Sequence, residues 1–221
     1  FGFNGYFLSG ALAGLFGYIG LACLYEGLST GRMGVVSPIS TLSAVIPLTF
    51  AFISGERPTS IQILGMSIAL LGAFCASGPD IVKGLPIKPL LFGLGAALGF
   101  GVALALMAQG SKTSSLMTMT SMRVVSVSMC IFIALRFRTL GGFRVSDLKI
   151  LIIIGITDFA ANLMLGVATT KGLVSVAMVF GALFPIVTSL LAFKFLNERL
   201  HRVQYLGILF AVAGVSLISI G

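Results

Sequence analysis

Long apolar runs separated by short polar connections make up almost the whole chain. A helix needs about 20 residues to cross a hydrocarbon core about 30 Å thick. By that measure eight runs are predicted to span a membrane, at residues 6–26, 35–54, 61–78, 89–109, 116–135, 150–170, 175–196 and 203–220. The connections carry most of the charge, as in Gly31-Arg32, Gly55-Glu56-Arg57-Pro58 and Asn197-Glu198-Arg199. Only the connection from Arg136 to Lys149 has room for a surface excursion. Backbone amides in lipid must be bonded within their own segment or within a closed barrel, and runs of this length select helices. The predicted fold class is therefore all-α, a polytopic membrane protein.

Composition agrees with the pattern. Hydrophobic residues make up 57% of the chain and charged residues 9%, with a mean hydropathy of +1.12, against about 25% charged residues in soluble domains. Too little polar surface is available for water to be the main solvent. The net charge of +8 would suit nucleic acid if it were clustered. The basic residues instead sit at the ends of apolar runs, where they act as topology determinants, so no nucleic-acid partner is expected. Cys23, Cys75 and Cys130 lie inside apolar segments and read as packing residues. His201, the one histidine, has no metal-ligand partners in sequence. Neither a metal nor a cofactor is predicted.

One internal repeat shapes the architecture. The stretch ERPTSIQILGMSIALLG from Glu56 and the stretch ERLHRVQYLGILFAVAG from Glu198 share seven of seventeen positions, including Gln62/Gln204, Gly65/Gly207 and Gly72/Gly214. The copies fall on the third and eighth predicted spans. The second copy falls five spans after the first, an odd step, so the two copies cross the membrane in opposite senses. That is an inverted-topology repeat, an arrangement many secondary transporters use. It divides the chain into a partial first unit at residues 1–88 with three spans and a second unit at 89–221 with five. Two further spans are expected ahead of Phe1, giving an inverted 5+5 arrangement.

The residues GRMGVVSPISTLSAVIPLTFAFISGERPTSIQILGMSIALLGAF and DFAANLMLGVATTKGLVSVAMVFGALFPIVTSLLAFKFLNERLHRVQYLGILFAVAGVSLI repeat one order: a proline-bearing helix, Glu-Arg, then a Gln-x-x-Gly helix. In this the chain resembles the drug/metabolite transporter superfamily, in its ten-helix branch of paired EamA-type domains. The resemblance implies two five-helix repeats around a central cavity, and alternating-access movement of small metabolites or drugs. It also makes the first span seen here the third of the family.

Five residues are candidates for the binding site. Asp158 lies about 12 Å along its helix from Ile150, near mid-membrane, where a carboxylate costs about 2.5–3.5 kcal/mol to insert. Such a residue is functional by default. Asn162, one turn on, shares its face. Arg123, about 10 Å in from Leu116, can snorkel to the surface, pair with Asp158, or meet an anionic substrate group. Glu26 and Tyr25, at the end of the first span, are candidates for a cavity mouth or for an interfacial anchor. Met117, Met119, Met122 and Met129 around Arg123 form either an adaptable surface or plain packing. Pro38, Pro47 and Pro185 mark breaks in corresponding helices of the two units. The Glu56-Arg57 and Glu198-Arg199 pairs are expected to fix helix ends and to serve gating, without touching substrate.

No nucleophile elbow, P-loop or zinc-protease pattern is present, and no catalytic residue is assigned. The expected function is a multi-pass secondary transporter in a membrane, by default the cell membrane, with a small-molecule substrate and the lipid bilayer as partners. The alternative is a membrane-embedded scaffold, or an intramembrane enzyme whose catalytic partner lies in the missing helices. Oligomeric state is not readable from the sequence.

Overall fold

The computed structural model describes residues 5–29, 33–78, 87–138, 142, 144–195 and 201–221, and every regular element among them is helical. In chain order these are α1 (Tyr6–Ser29), α2 (Met33–Thr41), α3 (Val45–Ile53), α4 (Ser60–Ala76), α5 (Ile87–Phe137), α6 (Leu148–Lys171), α7 (Val174–Gly181), α8 (Phe184–Phe195) and α9 (Arg202–Ile220). Five segments are long and apolar enough to cross a membrane: Tyr6–Ser29, Val35–Ile53, Ile87–Phe137, Val145–Lys171 and Arg202–Ile220. The helix α4 is apolar but shorter.

The difference from the eight runs in sequence has local causes. Straight, the 51 residues of α5 would measure about 77 Å, more than twice a hydrocarbon core of about 30 Å. The helix is broken at Ser114 (φ −164°, ψ 112°). The Ser114 hydroxyl then accepts the Met117 N–H at 3.3 Å and restarts the helix as an N-cap. Contacts with α1 show what the corner does. Gly17, Gly20 and Gly27 of α1 meet Ala103, Phe100 and Phe92 in turn, so the first half of α5 runs antiparallel to α1. Gly5, Gly10 and Gly14 meet Thr113, Thr118 and Met122, so the second half runs parallel. The two halves of α5 thus form a hairpin with α1 seated along both.

Runs 35–54 and 175–196 are each bent near a proline. A 3-10 turn, Leu42–Ala44, links α2 to α3 ahead of Pro47. Proline lacks the N–H that would bond four residues back, which releases the Ser43 carbonyl. That oxygen lies against Gly101, where a Cβ would come within 2.7 Å of it. In run 175–196 α7 ends at Gly181, and Pro185 is the second residue of α8. Pro38 stands inside α2.

The repeated stretches become α4 and α9, and their shared residues have visible tasks. Each helix begins with the same glutamine bond from repeat-equivalent residues, completed in α4 to a capping box by the Thr59 hydroxyl, which accepts the Gln62 N–H at 3.2 Å. Gln62 Oε1 accepts the Thr59 N–H at 3.0 Å, and Gln204 Oε1 accepts the His201 N–H at 2.9 Å. The helices then pack antiparallel through their glycines. A Cβ on Gly65 would lie 2.8 Å from the Gly214 oxygen, and one on Gly214 would lie 2.6 Å from the Gly65 oxygen. Gly72 and Gly207 oppose each other likewise, at 2.7 Å in each direction. Repeat-equivalent residues thus exchange the same contact in both directions.

Core packing relies on small residues and methionine. Ala13, Ala103, Met107, Ala108, Met119 and Met178 form one cluster, and Met66, Ala69, Val179 and Ile218 another. Without a hydrophobic force between helices in lipid, small side chains that permit close approach supply the association.

Candidate functional site

Asp158 is the eleventh residue of the 24-residue α6, about 15 Å from Leu148. Arg123 stands nine residues beyond the Ser114 corner, about 14 Å along the second half of α5. Both are at mid-helix, and they meet: Arg123 Nη2 donates to Asp158 Oδ2 in an ion pair. Asn162 Nδ2 donates to Asp158 Oδ1 at 3.1 Å and to the Asp158 main-chain oxygen at 2.8 Å. Of the routes open to Arg123 in sequence, pairing with Asp158 is the one the fold uses. The pair is not sealed in the core, for the Asp158 side chain is 52% exposed and the Arg123 side chain 33%.

Asp158 and Asn162 open onto a groove of about 740 Å³ between α6 and the broken pair α7–α8. The α6 wall is a stripe at helical spacing: Asp158, Ala161, Asn162, Leu165 and Ala168. Across from it stand Leu173, Val176, Ala177 and Phe180. Gly181 and Phe184 flank the α7–α8 break. The groove is mainly apolar, with a single polar edge.

Arg123 touches Asp158 from α5 and does not line the groove. Glu26 and Tyr25 do not join this group. Gly14 lies against Met122, and Glu26 is twelve residues further along α1, about 18 Å from that level. Tyr25 is 64% exposed. Among the methionines flanking Arg123, Met119 is buried in the core with Met122 packed against it; Met164 is the methionine on the groove. Sequence reasoning does not single out Phe180, Phe184 or Leu165. The available signal is the stripe that continues from Asp158 at three- and four-residue steps.

Glu56 has a task beyond fixing its own helix end. Its Oε1 accepts the Val174 N–H at 2.7 Å and its Oε2 accepts the Ser175 N–H at 3.1 Å, at the start of α7. Glu198 and Arg199 lie outside the described residues.

Comparison with known proteins gives this arrangement its context. The model of the EamA-like transporter family matches residues 3–78 and 87–220. The chain belongs to the EamA-like transporter family. It is therefore a multi-pass membrane protein of the drug/metabolite transporter type. Uncharacterized protein MJ1333.1 of Methanocaldococcus jannaschii is 27% identical over 134 residues, which are 59% of this EamA-like chain and 96% of that protein. A solved crystal structure of a protein superposes with a TM-score of 0.76 at 15% identity. The match covers 97% of this chain and 75% of that one. That likeness shows the fold alone.

Proposed function

We propose that this EamA-like protein is a secondary transporter of small metabolites or drugs, working by alternating access between two inverted five-helix units. The observation that carries the reading is the Asp158–Asn162 edge on a groove that straddles the α7–α8 break. Interrupted helices beside polar side chains, near mid-membrane, are how such transporters build binding sites. Asp158 and Asn162 form the polar edge that meets the substrate in this reading, Asp158 setting its charge and Asn162 offering the acceptor, and Arg123 acts from behind them.

The eight-span count treats the α5 hairpin as two crossings and the α7–α8 pair as one. The reciprocal glycine contacts of α4 and α9 favour a two-fold lying in the membrane plane. The five-helix units of this reading rest on the repeat, which leaves three counted spans in the first unit and five in the second. The 134 matched residues of the archaeal relative nearly fill that protein, which suits a single five-helix unit standing alone. The enzyme alternative has less support, because the polar neighbours of Asp158 among the described residues are Arg123 and Asn162 and not a second carboxylate.

The test is Asp158→Asn in the full-length protein, reconstituted in vesicles and assayed for counterflow of whichever metabolite the wild type exchanges. Counterflow is expected to fall at least about tenfold, the rate equivalent of about 1.4 kcal/mol from an unbalanced polar edge, with insertion unchanged. Wild-type exchange by the variant would remove Asp158 from the site.

A further inference from the structure

Resting on the groove reading above, we propose that Arg123 sets substrate charge. By cancelling Asp158 from behind, it makes the groove a site for uncharged molecules with an apolar, ring-bearing body. The geometry supplies each step. Both carboxylate oxygens of Asp158 are engaged within the protein, Oδ2 by Arg123 and Oδ1 by Asn162. The Asn162 amide nitrogen is committed to Asp158 as well, which leaves Asn162 Oδ1 as the neutral acceptor at the polar edge. Among the described residues, no lysine, arginine or second carboxylate lines the groove. Phe180 and Phe184 stand on the opposite wall, 43% and 54% exposed. They offer ring faces and edges to a flat apolar body.

The charge balance decides the class. A lone carboxylate beside an apolar groove would favour a cation strongly, because the low dielectric leaves its field unscreened. Pairing with a guanidinium removes that preference, and the ion pair then discriminates against both signs. A cation must compete with Arg123 for Asp158, and an anion must compete with Asp158 for Arg123. Arg123 is placed for this role, since it reaches the carboxylate without occupying the groove. Specificity here is a difference of affinities enforced by a group that never touches the substrate.

Three probes sharing one ring separate the charges: phenylacetamide, phenethylammonium and phenylacetate, titrated calorimetrically into purified full-length protein in detergent. Wild type is expected to bind the amide roughly tenfold more tightly than either ion, a ratio equal to about 1.4 kcal/mol. Arg123→Gln is expected to invert the order in favour of phenethylammonium. Asp158→Asn, which leaves Arg123 uncancelled, is expected to turn it towards phenylacetate. Arg123→Lys should retain the wild-type order. An unchanged order in both Arg123→Gln and Asp158→Asn would overturn the proposal, as would a wild type that already prefers the cation. Ala161→Phe, at an exposed lining position, fills the groove and tests the parent reading separately. Loss of all three probes in that variant supports the groove as the site, whereas unaltered binding would reject the groove itself.

Discussion

Gly207→Ala is expected to melt well below wild type although it adds a single methyl group. The new Cβ would collide with the Ala76 amide nitrogen and sit 2.7 Å from the Gly72 oxygen and 2.8 Å from the Cys75 carbonyl carbon. All three are backbone atoms of α4, so no side chain can turn aside; the helices must separate. Separation breaks the reciprocal Gly72 contact and loosens Gly65 against Gly214. Overpacking costs about 1–3 kcal/mol where side chains can adjust, and a rigid backbone contact belongs at or above the top of that range. A loss of about 3 kcal/mol corresponds to a fall of roughly 6–12 °C for a chain of this size. Gly155→Ala is the control. Gly155 is a mid-helix glycine of α6 with nothing near its missing Cβ, and alanine there should be neutral or stabilising by up to about 1 kcal/mol. Thermal unfolding of both variants in one detergent checks the pair. Equal melting temperatures would mean that α4 and α9 do not pack through these glycines.

These glycines are legible in the sequence alone, because they recur at a fixed offset together with Gln62 and Gln204. What the repeat does not disclose is how the pieces are used. The glutamines bond the amides at the starts of their own helices, a local task, and the glycines bring α4 against α9, a tertiary one. Asp158 and Asn162 are legible for the simplest reason: residues four apart on a helix share a face. Arg123 is legible as a candidate partner only, since nothing in the sequence fixes how the second half of α5 lies against α6. The Ser114 corner is legible as well: runs 89–109 and 116–135 leave Gly110, Ser111, Ser114 and Ser115 between them, all of usual turn-residue types. What the sequence does not tell is which serine turns the chain and caps the next helix. The bends in runs 35–54 and 175–196 are announced by prolines. Their positions depend on where released carbonyls find room, as the Ser43 carbonyl does beside Gly101. Tyr25 and Glu26 are legible as helix-end chemistry, suited to a cavity mouth or an interfacial anchor, and they lie about 18 Å along α1 from the level where Gly14 meets Met122.

Glu56→Ala is expected to free the start of α7 and weaken the groove wall. The helix supplies no cap of its own: its N-cap is Leu173, with no side-chain bond to the first amides. The first N–H groups of a helix have no intrahelical partner, and burying them unpaired is costly. Glu56 meets two of them from more than one hundred residues away, with its negative charge against the positive end of the helix dipole. Its own position is fixed by a tight helix ending. Gly55 adopts φ +95°, a left-handed value that favours glycine. The Glu56 N–H donates to the Ala51 oxygen at 3.0 Å and the Gly55 N–H to the Phe52 oxygen at 3.1 Å, the two bonds of a Schellman motif. Gly55 thus delivers Glu56 across the bundle, and Val174, Ala177 and Phe180 stand in place on α7 as a result. Hydrogen bonds to charged groups contribute about 1.5–3 kcal/mol each, and part of this returns when water reaches the freed amides. A net loss of about 2–3 kcal/mol is expected, with a melting point lower by roughly 4–12 °C. Glu56→Asp, one methylene too short, should lose most of that amount despite keeping the charge. Glu56→Gln, with the right length and one acceptor oxygen, should fall between. Hydrogen exchange gives the local signature: the Val174 and Ser175 amides should exchange at least about tenfold faster in Glu56→Ala, the ratio that a local opening easier by about 1.4 kcal/mol produces. Amides of α4 and α9, whose caps are their own, should hold their rates relative to the melting point. Unchanged protection at Val174 and Ser175 would show that the contact does not hold α7 in solution.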